Sequence, residues 1–386
     1  MEYSKLNELC EINIGKTPFR NKSEYWGEGS SWLSISDLKD KFITKTKEEI
    51  TSMAISECNM KIVPKNTVVM SFKLSIGKVA ILKEDMYTNE AIANFPIKNN
   101  SLIPEYLYYA IKTLNFDNTD RAVMGVTLNK AKLNELKIPY CEINKQKQIV
   151  KLLNKAQELI DKRKEQIEAL DELVKSKFIE MFGDPITNQK NWEITTIGKI
   201  VTDVRYGTSK PAVDGGKYPY IRMNNITYSG YLDLDNLKYI DIEDEELEKC
   251  IVRKGDVLFN RTNSAELIGK TCVFNLDKPM IIAGYIIRIR LINEVLPIYL
   301  SMFLNSDYGK ILLRGMAKGA VNQANINAQE LKSIKIAKPP IELQNQFADF
   351  VKQVDKLKSE MEKSLKELED NFNALMQRAF KGELFS

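Results

Sequence analysis

The chain has 386 residues, more than one ordinary domain needs, and its 44% hydrophobic and 28% charged residues describe a globular rather than a disordered protein. Histidine is absent, which removes the usual general base, the Ser/His and Cys/His nucleophile pairs and the commonest metal ligand together. A formal charge of +4 is only a weak pointer to a nucleic-acid partner.

Residues 1–140 mix short strand-like runs with Gly, Asn, Ser and Pro punctuation. Strands are expected at Ser31–Ser36, Thr67–Phe72 and Lys78–Leu82, followed by a helix over Pro104–Ile111 with its proline suited to the first turn. Residues 141–183 read differently. Ile149, Leu152/Leu153, Ala156, Leu159/Ile160, Arg163, Ile167, Leu170, Leu173/Val174, Phe178 and Met181 alternate steps of three and four, with Gly183-Asp-Pro185 as a stop. This predicts one helix of roughly 60 Å at about 1.5 Å per residue.

Residues 184–340 repeat the first order, with strands at Tyr220–Asn225, Asp256–Arg261 and Ile268–Val273 and a helix over Pro297–Leu304. Residues 341–386 repeat the long helix, with a seam of Phe347, Phe350/Val351, Val354, Leu357, Met361, Leu365, Leu368, Phe372, Met376 and Phe380. The duplication is legible residue by residue. Leu133-Asn-Glu-Leu-Lys-Ile138 returns as Leu331-Lys-Ser-Ile-Lys-Ile336, and Gln146/Gln148 return as Gln344/Gln346, all at one offset (331 − 133 = 198). The expected fold is therefore α+β: two tandem α/β globules separated by two long antiparallel helices that form a coiled coil, with an internal twofold pseudo-repeat. Two helices docked singly on their own globules are the alternative, disfavoured because five or more turns of seam exceed what a small globule covers.

The five cysteines, Cys10, Cys58, Cys141, Cys250 and Cys272, have neither metal nor redox spacing, so reduced thiols are expected and zinc is not. The most apolar stretch, Pro279–Ile292, is interrupted by Arg288 and Arg290, and Met1-Glu-Tyr-Ser-Lys-Leu6 lacks the apolar core of a signal peptide. The expectation is a cytoplasmic chain with no membrane partner.

Two motifs imitate catalytic sequences. Ala265-Glu-Leu-Ile-Gly-Lys-Thr271 resembles the end of a phosphate-binding loop, but the first glycine of such a loop would stand at Ser264 and no Gly-rich cradle precedes it. Its first copy, Ser75-Ile-Gly-Lys-Val79, also lacks the hydroxyl that holds magnesium, so a turn is expected. Lys338-Pro-Pro-Ile341 has the prolines of an adenine-methyltransferase signature without the preceding Asp or Asn or the following aromatic. These prolines are read as a rigid lead-in to the second long helix.

A polar set remains for nucleic acid. In the first half it is Lys16, Thr17, Arg20, Asn21, Lys22, Lys73, Lys78, Arg121 and Lys130; in the second it is Arg205, Tyr206, Thr208, Ser209, Lys210, Arg222, Asn224, Asn225, Asn260, Arg261, Asn263 and Arg314. Arg and Lys pair with phosphates or guanine edges, Asn with adenine edges and Ser/Thr with either. The set falls at loops and strand ends and is duplicated in position but not in residue identity, which favours two readers with different preferences.

At this point the chain resembles a specificity subunit of a type I restriction–modification system over essentially its full length. The resemblance is carried by Lys254-Gly-Asp-Val-Leu-Phe-Asn-Arg-Thr-Asn263 with Ile268-Gly-Lys270, by Gly319-Ala-Val-Asn-Gln323 running to Ile336, and by Pro339-Pro-Ile-Glu-Leu-Gln-Asn-Gln346. The first half carries weaker versions: Lys65-Asn-Thr-Val-Val-Met70 lacks the Gly-Asp pair, and Pro-Pro becomes Cys141-Glu142. The resemblance implies two target-recognition domains, a bipartite double-stranded DNA target read one half-site per domain, and recruitment of two modification subunits. It implies no catalysis and no cofactor in this chain; S-adenosylmethionine, ATP and Mg2+ would be used by the modification and restriction subunits. Arg205, Arg222 and Arg261 are expected to serve the second half-site, and Lys16, Arg20 and Lys73 the first. The helices would set the unread gap, so one heptad added after Lys164 and another after Glu362 should lengthen it by ~10 Å, about three base pairs. A stand-alone DNA-binding protein, a coiled-coil scaffold without a DNA role and a carboxylate-dependent nuclease are the other readings.

Overall fold

The computed structural model describes residues 1–114, 120–122, 125–320 and 323–385, with side chains described except at 120–122, 125–127, 318–320 and 323. Two compact units divide it, Met1–Arg163 with Ser364–Ser386, and Lys164–Lys363. The long helices run Ile143–Phe182 and Ile341–Lys381, so each unit holds one globule and one part of each helix.

In the first unit a five-stranded sheet has the order Asn13–Ile14, Ile92–Phe95, Val68–Ser71, Val79–Leu82, Phe42–Ile43. Its central strand is buried on both faces, as the continuous Val68-Val-Met-Ser71 run requires. A second sheet orders Glu48–Ile50, Trp26–Leu33 and Tyr87–Thr88. The helix Pro104–Lys112 is buried at six positions and carries the sheet onto the long helices.

In the second unit Val201–Tyr206, Ile286–Leu291, Val257–Asn260 and Thr271–Val273 form an antiparallel sheet. Lys238–Ile240, Tyr218–Ile221, Met280–Ile282 and Ile251–Val252 form another. The helix Pro297–Asn305 takes the part of Pro104–Lys112.

Three predicted strands end or begin elsewhere than the periodicity implied, each for a local reason. Trp26–Leu33 ends before Ser34, whose backbone N donates to the Asp37 carboxylate and opens a tight turn. Tyr218–Ile221 ends before Arg222, whose N donates to Asn225 Oδ1. The third starts only at Thr271, because Gly269 is left-handed (φ +74°).

The glutamines repeated in sequence do the same work in both units. Gln146 Oε1 accepts from Ile103 N at 3.0 Å while its Nε2 donates to Ser101 O and Cys141 O, both at 2.8 Å. Gln344 Oε1 accepts from Leu296 N at 2.8 Å while its Nε2 donates to Glu294 O at 3.1 Å and Pro339 O at 2.8 Å. Each carboxamide is fully buried and ties the start of a long helix to the start of a short one. Tyr106 and Tyr299 repeat likewise, their hydroxyls donating to Pro139 O and Ala337 O.

Within each unit the helix segments run antiparallel. In the second, Phe182 meets Phe347 (ring centroids 5.4 Å) and Asp171 meets Lys358 (2.5 Å). In the first, Tyr109 touches both Asn154 and Phe372, while Tyr106 touches Phe380, nearer the start of the first helix. Of the adjacent apolar pairs in the predicted seam, one member faces inward: Ile160 and Val174 are buried, whereas Leu159 and Leu173 are each 47% exposed.

Candidate nucleic-acid interface

Two glycines fix the loops that carry the candidate residues. A Cβ on Gly207 would stand 2.1 Å from Ile282 O, and one on Gly15 would stand 2.2 Å from Thr88 O, so only glycine allows either loop to lie against its strand end. Gly207 N then donates to Ile286 O and Gly15 N to Ile92 O, each at 3.1 Å.

In the second unit this brings six of the predicted residues around one concavity: Thr208, Ser209, Lys210, Arg222, Asn224 and Arg261. Their availability differs. Thr208 is buried, with its backbone bound to Ile282 O and Gly284 N. Lys210 pairs with Glu246 (3.1 Å) and Glu243 (3.5 Å), and the hydrogen bond to Glu246 holds its ammonium above the usual lysine range. Arg222 donates through Nη2 to Asn236 O at 3.4 Å, and Arg261 lies 5.0 Å from the Tyr206 ring centroid. Both leave a buried Nε without a hydrogen-bond partner, and among the described residues neither guanidinium makes an ion pair.

The remaining second-half residues lie around this concavity or apart from it. Asn225 and Asn260 are buried: Asn225 caps the Arg222 turn and donates to Asp233 O (2.9 Å), and the Asn260 carboxamide is enclosed by Tyr285 O, Thr262 O and Asn263 Nδ2. Asn263 accepts from Ser264 N. Tyr206 accepts Ala328 N at 2.8 Å. Arg205 pairs with Asp203 (2.8 Å), which also binds the buried Arg288 (2.6 Å); burial opposes ionisation there, but the two arginines outweigh it and hold the carboxyl low. Arg314 stands apart, donating to Tyr228 OH at 3.2 Å.

In the first unit the structure brings Lys16 and Lys130 to one concavity with Asn13, Asn59, Lys61 and Asn94. Lys16 Nζ donates to Cys58 O at 2.6 Å. Thr17 donates to Glu90. Arg20 is clamped: Glu48 takes its guanidinium (Nη2 to Oε2 3.0 Å), the Trp26 ring lies 3.8 Å from Cζ, and the hydrogen bond raises the arginine's pKa while lowering the glutamate's. Asn21 is exposed beside it. Lys22 binds Tyr25 OH (2.9 Å) and Glu57 (3.3 Å). Lys73 and Lys78 flank the turn after Val68–Ser71. The side chain of Arg121 lies outside the described residues.

Lys61 and Tyr285 were not in the predicted set. Lys61 stands between Met60 and Ile62, and Tyr285 inside an apolar run, so neither carried a polar-loop signal. Lys270, the lysine of the false phosphate loop, is buried and donates to Met223 O at 2.9 Å. Among the described residues no group of three or more His, Cys, Asp or Glu is placed to hold a metal, and no helix is long and apolar enough to cross a membrane.

The backbone bonds identify equivalent positions in the two units. Phe72 N donates to Ala91 O (3.0 Å) as Arg261 N does to Tyr285 O (2.9 Å), and Leu128 N donates to Phe72 O (3.0 Å) as Ile326 N does to Arg261 O (2.9 Å). Ser34 N to Asp37 matches Arg222 N to Asn225, both 2.9 Å. The second unit thus has Arg222 and Arg261 where the first has Ser34 and Phe72.

Such a chain, a duplicated α+β globule with a long helix after each copy, defines a narrow class. It belongs to the family described as the type I restriction modification DNA specificity domain, whose model matches residues 1–170 and again 189–370. It is 29% identical over 251 residues to the type I restriction enzyme MjaIX specificity subunit of Methanocaldococcus jannaschii, covering 58% of each chain. It is 22% identical to the EcoKI specificity subunit of Escherichia coli K12, over 91% of this chain and 84% of that one. Relative to MjaIX, then, the chain spans less than two thirds of the relative's length. Its fold matches a chain from a structural study of complex assembly and conformational transition in the type I R-M system, at a TM-score of 0.62 and 17% identity over 99% of this chain and 98% of the other.

Proposed function

We propose that this chain is the DNA-specificity subunit of a type I restriction–modification complex. Residues 1–140 read one half of a bipartite double-stranded target, residues 184–340 read the other, and the chain recruits modification and restriction subunits. The observation that carries this reading is the pair of globules with the same backbone hydrogen bonds and different side chains at equivalent loop positions. One scaffold used twice with different loop chemistry fits a target whose halves differ in sequence. Methyl transfer, ATP use and Mg2+ binding belong to the partner subunits, and the chain acts on DNA in the cytoplasm.

Methylome sequencing of cells with and without the chain tests this directly: one bipartite motif should vanish with it. Exchanging residues 184–340 for those of a relative should change one half-site and leave the other intact. Methyl incorporation by the isolated chain, or a change in both half-sites, would overturn the reading.

A further inference from the structure

We infer that Arg222 and Arg261 read guanine, so that the half-site of the second unit contains at least one G·C pair recognised through its major-groove edge. The inference rests on the proposed DNA-reading function.

The two arginines border one concavity from different elements, Arg222 at the end of Tyr218–Ile221 and Arg261 after Val257–Asn260. Every other arginine described on this unit's globule is committed. Arg205 and Arg288 share Asp203, Arg253 holds Glu248 (2.6 Å), Arg290 holds Asp256 (2.8 Å), and Arg314 holds the Tyr228 hydroxyl. An unpartnered Nε alone does not mark a reader, since Arg288 has one too. Arg288, however, is buried with its other nitrogens on Asp203 and Ile251 O, whereas Arg222 and Arg261 are partly exposed and make no ion pair among the described residues.

The Tyr206 ring beside Arg261 supports its guanidinium plane, and such a plane presents paired N–H groups that match guanine O6 and N7. Lysine offers no such fork. In the first unit the equivalent positions are Ser34 and Phe72, and Arg20 is held by Glu48 and Trp26, so this recognition belongs to the second unit.

The test uses the full chain assembled with its modification subunits, on duplexes carrying the motif found by methylome sequencing. Replacing guanine by 7-deazaguanine, which lacks N7, should weaken wild-type binding by up to roughly tenfold in the second half-site. Arg261→Ala and Arg222→Ala should each relax discrimination at one base pair by roughly 5- to 150-fold and remove sensitivity to deazaguanine there. Arg261→Lys and Arg222→Lys keep the charge but not the planar fork, and should lose part of that discrimination while retaining affinity for unrelated DNA. A second half-site without G·C pairs, no effect of deazaguanine in it, or variants that weaken all sequences alike would overturn the inference. If exchange of residues 184–340 moves neither half-site, the DNA-reading function itself fails; if it moves the second half-site and that half lacks guanine, only the guanine assignment fails.

Discussion

The two units make the same backbone hydrogen bonds around equivalent loops and differ in how their loop arginines are paired. The first clamps its loop arginine: Arg20 is taken up by Glu48 and two tryptophan rings. The second leaves Arg222 and Arg261 beside one concavity with no counter-ion among the described residues. Where the backbone hydrogen bonds are repeated, the side chains at the equivalent positions differ, so loop chemistry can diverge without loss of those bonds.

The largest expected effect tests whether the helix seam is equally built in both units. Phe347 is fully buried against Phe178 and Phe182, while Phe372 meets Tyr109 at 6.3 Å. Phe347→Ala should cost about 5 kcal/mol of unfolding free energy and Phe372→Ala about 3. Denaturant unfolding that gave equal losses would break this contrast.

The glutamine clasps sharpen the similarity instead. Gln146→Ala and Gln344→Ala each strand buried backbone groups and should each destabilise by about 2–3 kcal/mol. A large loss in one and none in the other would mean that the repeated hydrogen bonds do not carry equal weight.

Lys41 in the first unit and Lys310 in the second have no carboxylate partner in hydrogen-bonding contact among the described residues. Burial pushes Lys41 down to about 8, helped by Lys112 and Lys83, and pushes Lys310 down to about 8, helped by Arg314 and Lys270. Between pH 8 and 10.5 the unfolded chain keeps these protons and the folded chain sheds them, so the burial cost is relieved and stability rises with pH across that window. The gain is on the order of 3 kcal/mol per lysine. Lys41→Met and Lys310→Met should each flatten part of the rise in denaturant titrations run at several pH values.

The smallest effect belongs to the clamp. Arg20→Ala removes a half-exposed ion pair and should cost under about 1 kcal/mol of stability. It should relax no base in the first half-site; a relaxed position in the methylome of that variant would make Arg20 a reader and erase the contrast with Arg261.

Much of this protein was legible without coordinates. The 198-residue offset (331 − 133 = 198) announced the duplication, and the steps of three and four announced both long helices, because a seam that must stay on one face imposes its period on the chain. The polar stretches that hold Lys16–Thr17 and Thr208–Lys210 were visible as loop residues. The availability of the site residues was not. Arg20 and Arg261 look alike as letters, yet one is paired with Glu48 and the other lies over a tyrosine ring with no ion pair among the described residues. Lys210 is held by Glu246, and Asn225 and Asn260 are consumed by the protein's own backbone and neighbours. Periodicity is a local property, so the sequence by itself determined the repeat, the helices and the absence of histidine chemistry. Whether a charge is free to meet DNA depends on groups distant along the chain that only folding brings within a few ångströms, and that was decided by the tertiary structure alone.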